Sequence, residues 1–122
     1  MAAASDSDRA ELIRRAASRR SRRTSFSRER PTKWHPTSVM NPGDREPFTP
    51  DGCWSFLAEA IAGGAAVEVI ALKHPPGKRG FVIMLPGMDG ALIYVKLQLL
   101  SDVVLGRSFH LSVTGEEDED DD

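Results

Sequence analysis

The segment Ile93-Tyr94-Val95-Lys96-Leu97-Gln98-Leu99, followed after a short turn by residues 103–110, decides the fold. Alternation puts Ile93, Val95, Leu97 and Leu99 on one face of a strand and Tyr94, Lys96 and Gln98 on the other. One face builds a core, and the other presents a phenol, an ammonium and an amide in line.

The register of this hairpin decides which residues share a face. Pairing Leu99 with Val103 across a three-residue turn sets Leu97 beside Leu105 and Ile93 beside Phe109, whereas a one-residue slip brings Gly106, Ser108 and His110 to the core side. The first register buries more apolar surface. It gathers Tyr94, Lys96, Gln98, Ser108 and His110 on the open face and points Arg107 toward the core, unless a bulge at Gly106 turns that side chain outward.

Upstream, β-prone runs at 66–72 and 81–85 precede those at 92–99 and 103–109, with short Pro- and Gly-containing links that favour antiparallel neighbours. Before them, Thr49 reads as an N-cap, Pro50 suits the first turn, and Cys53, Phe56, Leu57, Ala60 and Ile61 recur at helical spacing until Gly63-Gly64. The expected fold is therefore α+β, with one amphipathic helix packed on a four-stranded antiparallel meander over residues 50–112. Residues 31–49 carry five prolines when Pro50 is included, and read as an extended strap anchored by Trp34.

Charge is partitioned along the 122 residues. Residues 1–30 hold nine arginines against four acids, residues 31–115 balance seven against seven, and residues 116–122 are seven acids. The first segment reads as a basic arm, disordered or marginally helical, with Asp8 and Glu11 at capping-box spacing. Its arginines suit nucleic-acid phosphates; a flexible extension is the plainer reading. Residues 113–122 read as a disordered acidic tail.

The lone Cys53 excludes an internal disulfide, no His/Cys spacing suggests a metal, and nothing in the sequence calls for a cofactor. No apolar run approaches the roughly 20 residues of a membrane span. These features imply a cytoplasmic chain without a membrane partner.

The order of helix, strand ending in a lysine, second strand, Ile-Tyr-Val-Lys-Leu-Gln-Leu and Val-Val-Leu-Gly-Arg-Ser-Phe-His resembles the RelE-like bacterial toxins, particularly the motility quorum-sensing regulator toxin family. The likeness spans roughly residues 50–112 and centres on Tyr94-Val95-Lys96 and Ser108-Phe109. It implies a toxin of a type II toxin–antitoxin system, a messenger-RNA endoribonuclease neutralised by a cognate antitoxin. The family's tyrosine falls on Tyr94 and its strand-end lysine on Lys73. Its aromatic residue before that lysine is replaced by Leu72, and its glutamine has no counterpart at Phe81 or Val82.

The residues also support this chemistry on their own terms. Metal-independent RNA cleavage needs a 2′-hydroxyl deprotonated, a phosphorane stabilised and a leaving 5′-oxygen protonated. Tyr94, Lys96, Lys73 and His110 are the candidate catalytic residues, imidazole being suited to proton transfer near neutrality. Lys78, Arg79, Gln98 and Arg107 are candidates for holding single-stranded RNA. Each has a plainer role: a packed tyrosine ring, edge-protecting lysines, a solvated strand-end histidine, a polar turn. A noncatalytic RNA-binding or protein-interaction module is the alternative, with small, additive, salt-dependent losses on substitution.

Overall fold

The computed structural model describes residues 2–24, 33–73 and 76–112. Its strands are β1 (Ala2–Ala3), β2 (Arg22–Thr24), β3 (Lys33–Trp34), β4 (Met40–Asn41), β5 (Glu46–Pro47), β6 (Glu68–Ala71), β7 (Arg79–Pro86), β8 (Leu92–Leu99) and β9 (Val104–Leu111); its helices are α1 (Asp6–Ala16) and α2 (Gly52–Ala62). Residues 25–32 and 113–122, and with them the acidic tail, lie outside the described residues.

Helix α1 starts where the Ser5 hydroxyl accepts the Asp8 backbone N–H at 3.0 Å. Asp6 and Asp8 in its first turn and Arg14 and Arg15 in its last complement the helix dipole. Leu12 and Ala16, four residues apart on one face, are fully buried in the common core. Helix α2 is entered through Thr49, whose hydroxyl accepts the Gly52 N–H at 2.8 Å, and it ends at Gly63. It buries Cys53, Trp54, Leu57, Ala58 and Ile61, while Phe56 and Ala60 are only half-buried. The apolar stripe is thus turned toward Trp54, a residue outside the expected set.

The four expected runs form β6, β7, β8 and β9, adjacent and antiparallel in that order. Around them the fold departs from expectation. The sheet has seven strands among the described residues and is mixed: β1 adds to β6, while β2 and β3 both lie parallel to β9 along its far edge. β4 and β5 make a separate two-stranded ribbon. Two helices cover the core face. The expectation of one helix on a four-stranded meander with a disordered N-terminal arm is therefore corrected. The basic segment supplies α1 and two edge strands, because Leu12 and Ala16 bury against the sheet and β9 offers an edge whose backbone groups must be paired.

The β8–β9 register also differs from the expected one. Leu99 pairs with Val104, Leu97 with Gly106, Lys96 with Ser108 and Val95 with Phe109. The irregularity between Lys96 and Leu97 leaves Arg107 as the extra residue of a bulge. Gly106 consequently faces the core, where the Trp34 ring lies against it. A Cβ at this position would stand 2.7 Å from Trp34 Cζ3. Trp34 stacks on Trp54 at 4.8 Å and meets Phe109 edge-on at 5.4 Å, so it does anchor its segment. Among the described residues, no helix is long and apolar enough to cross a membrane.

Candidate nucleic-acid interface

The face of the sheet turned away from the helices is built by strand pairing. Residues directly opposite in neighbouring strands share a face, and one row runs Glu68, Val82, Lys96, Ser108, Lys33 across β6, β7, β8, β9 and β3. The next row holds Met84, Tyr94 and His110. A third sets Leu105 between Gln98 and Arg23. Two lysines thus flank Ser108, with one acid, Glu68, three strands away on β6.

The Tyr94 and His110 rings are in tilted contact, their centroids 5.4 Å apart and their planes at 35°. His110 Nδ1 is 2.9 Å from the Leu111 carbonyl. A carbonyl only accepts, so Nδ1 is the donor, and the Nε2 atom is itself buried. Arg107 Nη1 donates to Gln98 Oε1 at 2.7 Å. The bulge therefore turns Arg107 out toward this face. Lys96 and Ser108 are fully buried, and Tyr94 is only 7% exposed. Among the described residues, the Ser108 hydroxyl oxygen is buried with no hydrogen-bond partner, an arrangement that ordinarily costs about 1–3 kcal/mol.

The structure thus brings together Tyr94, Lys96, His110, Gln98 and Arg107. Lys78 and Arg79 join Gln98 around a small cleft of ≈ 250 Å³ at the end of β8. Arg79 also reaches Asp8 at 3.1 Å and stacks over Phe81 at 5.3 Å, which ties it to the helix side. Lys73 is not brought to Tyr94. It follows β6 in the β6–β7 turn, whereas Tyr94 pairs with Met84 near the other end of β7; Met84 is five steps along the strand from Arg79, about 16 Å at strand spacing. Lys33 enters the row unannounced, its segment being rich in prolines; its alternation with Trp34, which must face the core, is the signal that places Lys33 on the other face.

A second cationic cluster lies at the β2 edge. Arg22 donates to the Ala16 carbonyl at 2.7 Å and to Asp51 Oδ1 at 2.8 Å, with its guanidinium 5.8 Å from the Trp54 ring centre. Arg19 hydrogen-bonds the other oxygen of Asp51. These contacts, Arg19 first and then Arg22, hold the Asp51 carboxyl below its ordinary value. In the core of α2, burial pushes the Cys53 thiol up to about 12, which makes it a packing group and a poor nucleophile.

Among the described residues, no three His, Cys, Asp or Glu side chains gather to hold a metal ion. Comparison with models of protein families, with curated proteins and with solved structures finds no match for this chain.

Proposed function

We propose that this chain is a metal-independent endoribonuclease of the toxin type, acting on single-stranded RNA at the sheet face of Tyr94, Lys96 and His110. The observation that carries the reading is the tilted Tyr94–His110 ring contact beside the row Lys96, Ser108, Lys33. It supplies both proton-transfer groups and two cations, the backbones of Lys96 and Lys33 standing two strand spacings, about 10 Å, apart. His110 Nε2 takes the 2′-hydroxyl proton, and the 2′-oxygen bonds to phosphorus. The P–O5′ bond breaks, leaving a 2′,3′-cyclic phosphate, and the 5′-oxygen takes the Tyr94 phenolic proton. Return of the proton from His110 to Tyr94 closes the cycle. Lys96 and Lys33 balance charge on the phosphorane. A cognate antitoxin protein is the partner this reading implies.

A noncatalytic RNA-binding module is the second reading. It asks less of the site, needing no proton transfer; in both readings the buried Lys96, Ser108 and His110 Nε2 must become accessible when RNA arrives. Cleavage of a mixed-sequence single-stranded RNA in EDTA decides between them. Products ending in 2′,3′-cyclic phosphate that disappear with Tyr94→Phe and with His110→Ala support the enzyme. RNA that is bound but left intact sinks it and leaves the binding module.

A further inference from the structure

Away from the sheet face, a cleft of ≈ 410 Å³ opens at the β2 edge, lined by Arg19, Arg22, Arg23, Asp51, Trp34 and Trp54. We propose that this cleft is a second RNA subsite, holding one nucleotide of a single strand with its phosphate against Arg19 and Arg23 and its base against the half-buried Trp34. The proposal rests on RNA being the ligand, as argued above, and adds where the strand continues beyond the sheet face.

Three observations carry it. The first is preorganisation. Arg22, with its side chain only 10% exposed, is fixed by the Ala16 carbonyl, by Asp51 and by Trp54. That arginine joins the end of α1 to the start of α2. The second is surplus charge. Arg19, with a side chain 79% exposed, shares the same carboxylate, and Arg23 contacts the backbone carbonyls of Arg20 and Arg22. Asp51 thus meets two guanidinium groups while Arg23 lines the same cleft, an imbalance that a phosphate would redress. A cleft with a cationic rim and an aromatic wall has the chemistry that holds single-stranded nucleic acid, and its volume lies in the ordinary range for small-ligand sites.

The third observation is continuity. Arg23 stands in register with Leu105, and Leu105 with Gln98. At the usual spacing of about 4.8 Å between strands, the backbone of Arg23 is about 10 Å from that of Gln98. A strand leaving the Tyr94–His110 face past Gln98 and Arg107 therefore meets this edge within a few nucleotides.

Both tryptophans of the chain line the cleft, so intrinsic fluorescence reports its occupancy directly. The experiment titrates the full chain with a 2′-O-methyl hexaribonucleotide, which lacks the attacking hydroxyl and stays intact, with adenosine 5′-monophosphate and inorganic phosphate as separate arms. The expected result is a saturable fluorescence change with the hexamer. Arg19→Ala/Arg23→Ala should weaken binding at least tenfold and lower the salt slope by about 0.7, the share of the one phosphate left without its cations. Arg19→Glu, checked for folding by circular dichroism, should weaken it further. Unchanged affinity and slope in the variants overturn the subsite, and so does tighter saturation by adenosine 5′-monophosphate or phosphate than by the hexamer. If wild-type protein cleaves RNA while the variants bind the hexamer normally, the subsite alone fails. If wild-type protein neither cleaves nor binds RNA, both readings fail.

Discussion

Arg9 of the first helix closes the end of the second: its guanidinium donates to the Ile61 carbonyl at 2.6 Å and to the Ala65 carbonyl at 2.6 Å. Those carbonyls belong to the last turn of α2 and the chain leaving it, where helical partners run out. One side chain thereby joins the basic segment to the central domain. Arg9→Ala should lower stability by about 1.5–3 kcal/mol, the range for hydrogen bonds to a charged group, and chemical denaturation measures it. Arg9→Lys should recover only part of the loss, because an ammonium lacks the fork that spans both oxygens.

Gly106→Ala tests the close approach of Trp34. The added methyl would lie 2.7 Å from the indole, and the ring is wedged between Trp54 and Phe109. Overpacking of this kind costs about 1–3 kcal/mol. A lower melting temperature with altered tryptophan emission is the expected outcome; an unchanged melting temperature would show that the ring relocates freely.

Ser108→Ala separates stability from function. The hydroxyl oxygen is fully buried without a hydrogen-bond partner among the described residues, so its removal should leave stability unchanged or raise it by up to about 1 kcal/mol. If Ser108 contacts phosphate between Lys96 and Lys33, the same substitution should reduce RNA cleavage about tenfold. Loss of stability together with activity would assign it a packing role instead.

Asp51 gives the acid side of the stability curve a defined contribution. Its folded-state carboxyl is held below the ordinary value of 3.8, by Arg19 first and then Arg22. Its stabilising effect is therefore complete above that ordinary value and fades as pH falls through the lower folded value. Asp51→Asn should be less stable than wild type near neutrality, with the difference vanishing in strong acid. A difference independent of pH would disprove the ionic origin.

Cys53 should resist thiol reagents in the folded state. Its thiol is fully buried and pushed up to about 12, so little thiolate exists at pH 8. Labelling by a disulfide reagent should be slow in the native protein and immediate in denaturant. Rapid native labelling would indicate frequent opening of α2.

The central hairpin was legible because Tyr94, Lys96 and Gln98 alternate with large aliphatic residues, and period-two patterns sort faces without knowledge of the partner. Thr49 and the double glycine announced the limits of α2 for similar local reasons. The β9 register was less accessible, since it depends on Gly106 accepting the face of a tryptophan more than 70 positions upstream. The edge strands were hidden for a related reason. Arg22–Thr24 and Lys33–Trp34 are too short to show periodicity, and they become strands only because β9 offers its backbone. Lys33 was missed with them, and Lys73 was misplaced because sequence order does not show which end of β7 faces Tyr94.

The parallel docking of β2 and β3 on β9 carries a kinetic consequence. Their partners are separated by about 80 positions, and such distant pairings form slowly because loop closure precedes any reward from contact. The local hairpins β6–β7 and β7–β8 can assemble early, while β9 must wait with an unpaired edge for the N-terminal segment to arrive. During that interval the exposed edge can recruit a strand from another molecule. Refolding yield should consequently fall with protein concentration, most steeply in variants that delay the N-terminal segment from reaching its place.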